Sequence, residues 1–234
     1  MEKKLIVLVS GKLQSGKNQF AEYLKQHISK RDVSIYEDLF ALGVKNGCKE
    51  DFAPLVKYLN ENTDIKTTDD NWYENKTELT RILLQLYGTD IFRKRVSTDW
   101  WVKKQAERIV KNEKDVTIIT DVRFPNEIDK LLDYISTDYS AKQTTCTFGE
   151  EEYLTKNHLQ FISGCPYRIC SVRINRNSAI KMGIKDHESE TALDNYENFN
   201  YIYENNGTLD DLNTFAEFIA EELMIDRDLE LAGL

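Results

Sequence analysis

The stretch Gly11-Lys12-Leu13-Gln14-Ser15-Gly16-Lys17-Asn18 places two glycines and a lysine at G-x-x-x-x-G-K spacing between an apolar run and an amphipathic one. It constrains the fold more than any other feature, because such a loop functions only between a strand and a helix. Its backbone N–H groups turn inward around phosphate oxygens, the lysine ammonium reaches the outer phosphates, and the helix N-terminus favours anions. A side chain at either glycine would obstruct that approach. With glycine near 7% of residues and lysine taken as similar, the bare pattern is expected roughly 0.08 times in a chain of this length, so its neighbours decide its weight. Upstream, Leu5-Ile6-Val7-Leu8-Val9 is a continuous β-rich run suited to a strand buried on both faces. Downstream, Phe20, Tyr23, Leu24, His27 and Ile28 recur on one face of a helix. The bland alternative is a glycine turn that binds nothing. Position 18 is Asn where the general motif carries Ser or Thr, so an amide stands in place of the hydroxyl that normally approaches Mg2+.

At 234 residues, with no repeat or low-complexity linker, the chain suits one α/β domain. Three prolines and ten glycines beside 41% hydrophobic residues argue for a regular, packed fold. No apolar run approaches the roughly 20 residues that span a bilayer, and Met1-Glu2-Lys3-Lys4 leads into a core strand instead of a signal peptide. A soluble, cytoplasmic protein with no membrane partner is expected. The four cysteines, Cys48, Cys146, Cys165 and Cys170, show no C-x-x-C spacing, and with only His27, His158 and His187 beside them they suit reduced thiols better than a zinc site. A net charge of −9 disfavours an extended nucleic-acid surface. An anionic ligand must then meet a local basic pocket, for which Lys17, Lys45, Arg81, Arg123 and Arg176 are the candidates.

Along the chain, Val33 to Tyr36 reads as a short strand followed by a helix over about 37–47. The polar 61–75 stretch reads as a loop. Leu79, Ile82, Leu83, Leu86 and Tyr87 mark an amphipathic helix ended by Gly88 in a left-handed cap, and a further helix begins near Ser97-Thr98-Asp99 and runs through Val110. Val116 to Thr120 is the next strong strand. It ends in Asp121-Val122-Arg123-Phe124-Pro125-Asn126-Glu127, with a helix expected over 125–134. The 135–167 stretch is polar and includes a possible helix over 149–160. Arg168 to Ile174 and Tyr201 to Tyr203 read as strands. Leu212, Phe215, Ala216, Ile219, Ala220 and Leu223 share a closing helix capped by Thr208 and Asp211. Strands separated by helices imply a parallel sheet.

Asp121, at a strand's carboxyl end where α/β proteins place ligands, could hold Mg2+, bond a sugar hydroxyl or cap the following helix. Arg123 could clamp a phosphate with its planar fork or pair with Glu127 or Asp121. Adjacent on a helix, Trp100 and Trp101 point in different directions, so one belongs to the core and the other could stack on a base. Arg173, Arg176, Lys181 and Lys185 precede Asp186-His187-Glu188-Ser189-Glu190 as either a solvated surface or a lid, and His27 reads as packing.

Several short motifs in one order resemble the deoxynucleoside monophosphate kinases of tailed phages, a branch of the P-loop nucleoside monophosphate kinases. They are S-G-K-x-x-S-G-K over Ser10 to Lys17, A-x-x-x-K over Ala41 to Lys45, R-x-L-x-Q-x-x-G-T-D from Arg81 to Asp90, and W-V-K over Trp101 to Lys103. D-V-R-F-P-N-E over Asp121 to Glu127, H-x-S-E over His187 to Glu190, and N-N-G over Asn205 to Gly207 complete the series. The resemblance implies a three-layer P-loop kinase fold, a five-stranded parallel sheet flanked by helices, with a substrate-binding insertion over about 37–112 and a lid over about 176–190. It implies ATP with Mg2+ at the phosphate loop, through Gly11, Ser15, Gly16, Lys17, Asn18 and Gln19, with Asn205 or Asn206 near the adenine. Lys45, Arg81, Gly88, Thr89, Trp101, Asp121, Arg123 and Glu127 would contact a deoxynucleoside monophosphate. Lys17, Arg81, Arg123 and Arg176 would neutralise charge during transfer, Asn18 and Asp121 would approach the metal, and the protein would be a homodimer. A P-loop kinase for another small phosphorylated acceptor, or a nucleotide-binding module without transfer, are the alternatives.

Overall fold

The apolar run after Lys4 forms the middle of the sheet. A computed structural model describes residues 3–63, 78–142, 153–156, 159–162, 165–177 and 188–231. β1 (Lys4–Ser10) is buried from Leu5 onward, as a strand with neighbours on both edges requires. It pairs in parallel with β3 (Val116–Val122) on one side and β6 (Tyr167–Asn175) on the other. β2 (Ile35–Asp38) continues the sheet in parallel beyond β3, and β7 (Tyr201–Glu204) pairs in parallel with the second half of β6.

The first half of β6 has a different neighbour. β5 (Leu159–Ile162) pairs with it antiparallel and forms a hairpin with β4 (Tyr153–Lys156). Among the described residues the sheet is therefore mixed and seven-stranded, which corrects the expected five-stranded parallel sheet. The extra strands come from the stretch where a helix over 149–160 was expected. The sequence there is rich in residues of high β-propensity, β6 offers β5 an open edge, and β4 pairs onto β5 in turn.

The chain forms two compact units, one of residues 1–39 and 106–234 and one of Phe40–Gln105. In the first, α1 (Lys17–Ile28) and α8 (Leu209–Leu231) pack together against the sheet. Phe20, Leu24, Ile28, Ala216 and Ile219 bury with Leu5, Val7 and Val9 of β1. The alternating residues Ile6 and Leu8 bury on the opposite face of the strand. At the start of α8, the Asp211 carboxylate accepts from the Thr208 N–H (2.7 Å) and hydroxyl (2.8 Å), and the Thr208 hydroxyl accepts from the Asp211 N–H (3.2 Å). That is the expected capping box. The helix expected over 125–134 is interrupted at Lys130, giving α5 (Pro125–Asp129) and α6 (Leu131–Lys142).

The second unit contains α2 (Phe40–Asn62), α3 (Glu78–Gln85), an 11-residue π-helical segment (Leu86–Val96) and the first turns of α4 (Trp100–Asn112). α2 outruns its expected end because Phe52, Val56 and Leu59 extend its apolar face. Its core gathers Cys48, Val56, Leu83, Tyr87 and Trp101 with Phe52, Phe92 and Trp100. Gly88 does not end a helix in a left-handed cap; it lies buried within the π-helical turns. A Cβ there would lie 2.9 Å from a methyl of Val44, so packing against α2 explains the glycine. No helix among the described residues is long and apolar enough to cross a membrane.

Candidate active site

Parallel pairing brings the ends of four strands to one edge of the first unit. Ser10 of β1 is in register with Val122 of β3 and Arg173 of β6, and Asn175 of β6 with Glu204 of β7. The segments that leave this edge are the phosphate loop after β1, the Asp121 to Glu127 run at the end of β3, Arg176 after β6, and Asn205 with Asn206 after β7. The candidate residues on these segments thus reach one edge because the sheet is parallel there.

The loop itself has the backbone of an anion cradle. Gln14 (φ 62) and Gly16 (φ 96) are left-handed on either side of Ser15, the alternation that turns successive N–H groups to one side. Gly11 is needed for close approach: a Cβ would lie 2.4 Å from the Ser15 hydroxyl and 2.6 Å from the Ile174 carbonyl oxygen. The Ser15 N–H donates to the Lys12 carbonyl (3.1 Å), and the Lys17 ammonium reaches the same carbonyl (3.3 Å). Ser15 is fully buried and its Oγ has no hydrogen-bond partner among the described residues, an orphaned polar atom of the loop. These features fit a polyphosphate. Asn18 and Gln19, on the first turn of α1, are exposed.

Behind the loop runs a polar chain that sequence reasoning did not find. The Ser10 hydroxyl donates to the Val122 carbonyl (2.9 Å) and accepts from Nη1 of Arg173 (2.8 Å). Nη2 of Arg173 lies 3.6 Å from Asp194, whose other oxygen takes the Lys12 ammonium at 2.7 Å. Burial pulls the Arg173 guanidinium below its ordinary pKa and Asp194 opposes the shift. Neither Arg173 nor Asp194 carried a signal in sequence for this pairing, because Arg173 meets Ser10 only through the register of β6 with β1 and Asp194 lies in a polar stretch far along the chain.

At the exit of β3, Asp121 is half-buried and Arg123 exposed, with one guanidinium nitrogen 3.5 Å from the Ser189 carbonyl. Glu127 is 3% exposed, and its carboxylate accepts from the N–H groups of Arg123 (2.7 Å) and Phe124 (3.1 Å). It caps the first turn of α5, so its geometry is that of a brace for the Asp121 to Phe124 turn. Asn205 is buried and donates its amide to the Ser15 carbonyl (2.8 Å); Asn206 accepts from the Asn177 N–H (2.9 Å). Arg176 is exposed. Lys181, Lys185, His187 and most of the lid expected over 176–190 lie outside the described residues.

In the second unit, Arg81 is exposed on α3, Lys45 half-buried on α2, and Thr89 buried in the π-helical segment. Trp101 is 7% exposed and donates its indole N–H to the Gly88 carbonyl (2.8 Å). Of the two tryptophans it is the core residue. The half-buried Trp100 packs on Phe92 with the Lys104 ammonium 5.5 Å from its ring centre. Among the described residues no group of three or more His, Cys, Asp or Glu could hold a metal.

Comparison with known proteins bears on the second unit and on β3 together. The matching family is described as deoxynucleotide monophosphate kinase. Its profile aligns with residues 49–137, a span that holds Arg81, Gly88, Thr89, Trp101 and the Asp121 to Glu127 run. The chain is also 31% identical over 110 residues to a deoxynucleoside-5'-monophosphate kinase of Escherichia phage T5. That alignment covers 47% of this chain and 44% of the phage protein. The phosphate loop lies outside the family match, so the two lines of support are independent.

Proposed function

We propose that this protein is a deoxynucleoside monophosphate kinase of the P-loop type, transferring the γ-phosphoryl group of ATP to the 5′-phosphate of a deoxynucleoside monophosphate. The observation that carries the reading is the family match over residues 49–137, in a chain that also holds a phosphate cradle outside the matched span. An acceptor phosphate oxygen would attack the γ-phosphorus in line. The bond from that phosphorus to the β,γ-bridging oxygen would break, leaving ADP and a deoxynucleoside diphosphate.

The acceptor is already an oxyanion, so the chain's task is alignment and charge neutralisation. Lys17 would hold the outer phosphates of the donor, Gly11 and Gly16 let the backbone approach them, and Ser15 brings a buried hydroxyl with no partner among the described residues. Arg123 and Arg176, both exposed at the same sheet edge, would meet transferring charge. Lys45, Arg81 and Thr89 of the second unit are the acceptor-binding candidates; Trp101 supports the π-helical segment that carries Thr89, and Glu127 braces the turn that carries Arg123. Mg2+, when bound, would add charge neutralisation, with Asp121 and the exposed Asn18 as the side chains to approach it. The reading carries with it a homodimer in the host cytoplasm, which sedimentation velocity and cell fractionation test.

Incubation with ATP, Mg2+ and each of the four common deoxynucleoside monophosphates should release ADP only when an acceptor is present. Lys17→Ala should abolish that release with the far-ultraviolet spectrum unchanged. One observation favours a second reading, nucleotide binding without transfer: an exposed Asn18 stands in place of the usual hydroxyl. That reading expects ATP binding and no acceptor-dependent ADP.

A further inference from the structure

A loop that turns its N–H groups inward to an anion must turn carbonyls outward, and each buried carbonyl then needs a donor from elsewhere. The Lys12 carbonyl finds two within the loop, the Ser15 N–H and the Lys17 ammonium. The Ser15 carbonyl is served from outside, by Nδ2 of Asn205 at 2.8 Å. Ser15 is fully buried and Asn205 is 5% exposed, so solvent is poorly placed to substitute for that amide. Asn205 is itself fixed where β7 ends, its N–H donating to the Asn175 carbonyl (2.8 Å). The same amide defines the space at Gly16, because a Cβ there would lie 2.4 Å from Nδ2. One side chain therefore satisfies the loop's buried carbonyl and packs on its left-handed glycine.

We propose that Asn205 is a positioning residue that locks the phosphate loop in its anion-binding form through the Ser15 carbonyl, and that it recognises no part of the base. The inference rests on the reading that this loop binds nucleotide phosphates. It also connects β7 to the donor site: the junction of β7 with α8 reports on loop geometry through a single hydrogen bond.

The test compares ATP with inorganic tripolyphosphate, which has the phosphates and lacks the base. Asn205→Asp keeps the shape and sets an acceptor against the Ser15 carbonyl. Calorimetric titration of the full chain with each ligand in the presence of Mg2+ should show both affinities falling by the same factor, about tenfold or more. KM for the deoxynucleoside monophosphate should stay within about twofold, since the acceptor residues are untouched. Weaker ATP with tripolyphosphate unchanged would mean a contact to adenine and would overturn the inference. So would a lowered melting temperature with both affinities intact, the mark of a merely structural role. Should Asn205→Asp lose its folded spectrum, Asn205→Ala, which removes the donor without adding charge, goes through the same titrations with the same outcomes expected. A wild-type chain that binds neither ligand would contradict the phosphate-loop reading itself and this inference with it, whereas wild-type binding with an unaltered variant contradicts this inference alone.

Discussion

Gly11 has little freedom at the sheet edge. The atoms a Cβ would meet include the Ile174 backbone oxygen at 2.6 Å, which cannot swing aside as a side chain would. Gly11→Ala should cost about 1–3 kcal/mol of stability, as overpacking does, and should weaken ATP binding; urea denaturation with parallel ATP titration checks both. The described cysteines are a second residue-scale matter. Cys48, Cys165 and Cys170 are buried and unbridged. Burial raises the thiol of Cys48 to about 12 and that of Cys165 to about 11, and it raises Cys170 as well. A thiol whose folded pKa exceeds its unfolded value contributes fully below the unfolded pKa, and its contribution is lost as the pH rises through the folded one. Iodoacetamide at pH 8 should therefore leave these three unmodified in peptide mapping, and stability should fall as the pH rises from about 9 toward 12. Gly11, Gly16 and Lys17 were legible in sequence because the motif fixes both type and spacing. Arg173, Asp194 and the placement of Asn205 were not, since their partners come from strands joined only by the fold.

Among the elements, the phosphate loop draws its rigidity from α1, whose buried face meets α8 and β1. Leu24 is fully buried there, and Leu24→Ala should destabilise the chain by about 3 kcal/mol, read from chemical denaturation. The π-helical segment is the other element with a distinct role. Wide turns are uncommon and cluster at functional sites, and here the Trp101 indole donates to the carbonyl of Gly88 within them. Trp101→Phe keeps much of the volume and removes the donor. It should cost about 1–3 kcal/mol and raise KM for the acceptor, with KM for ATP unchanged. A shift in the ATP value alone would contradict that role. The pattern of Leu79 to Tyr87 announced a helix but not its widening, because π-helical turns leave no period that 3.6-residue counting detects. The β4–β5 hairpin escaped for a related reason: its short strands show little alternation, and their pairing depends on the edge of β6 that β5 joins.

At the level of the whole molecule, a chain with net charge −9 gathers cationic side chains at the sheet edge where β1, β3 and β6 end. Lys12, Lys17, Arg123, Arg173 and Arg176 all belong to that edge. Such a local field draws small anions from a surface that repels long ones, so added salt should raise KM for ATP, and a nucleic-acid duplex should bind weakly if at all. The parallel core was legible because continuous apolar runs alternate with amphipathic helices; the division into two compact units was not, since no linker composition marks residues 40 and 105. Acceptor-dependent ADP release tests the central claim most directly. With ATP, Mg2+ and the four common deoxynucleoside monophosphates, the wild-type chain should turn over at least one acceptor and Lys17→Ala none. Tight ATP binding with no ADP released on any acceptor would contradict it.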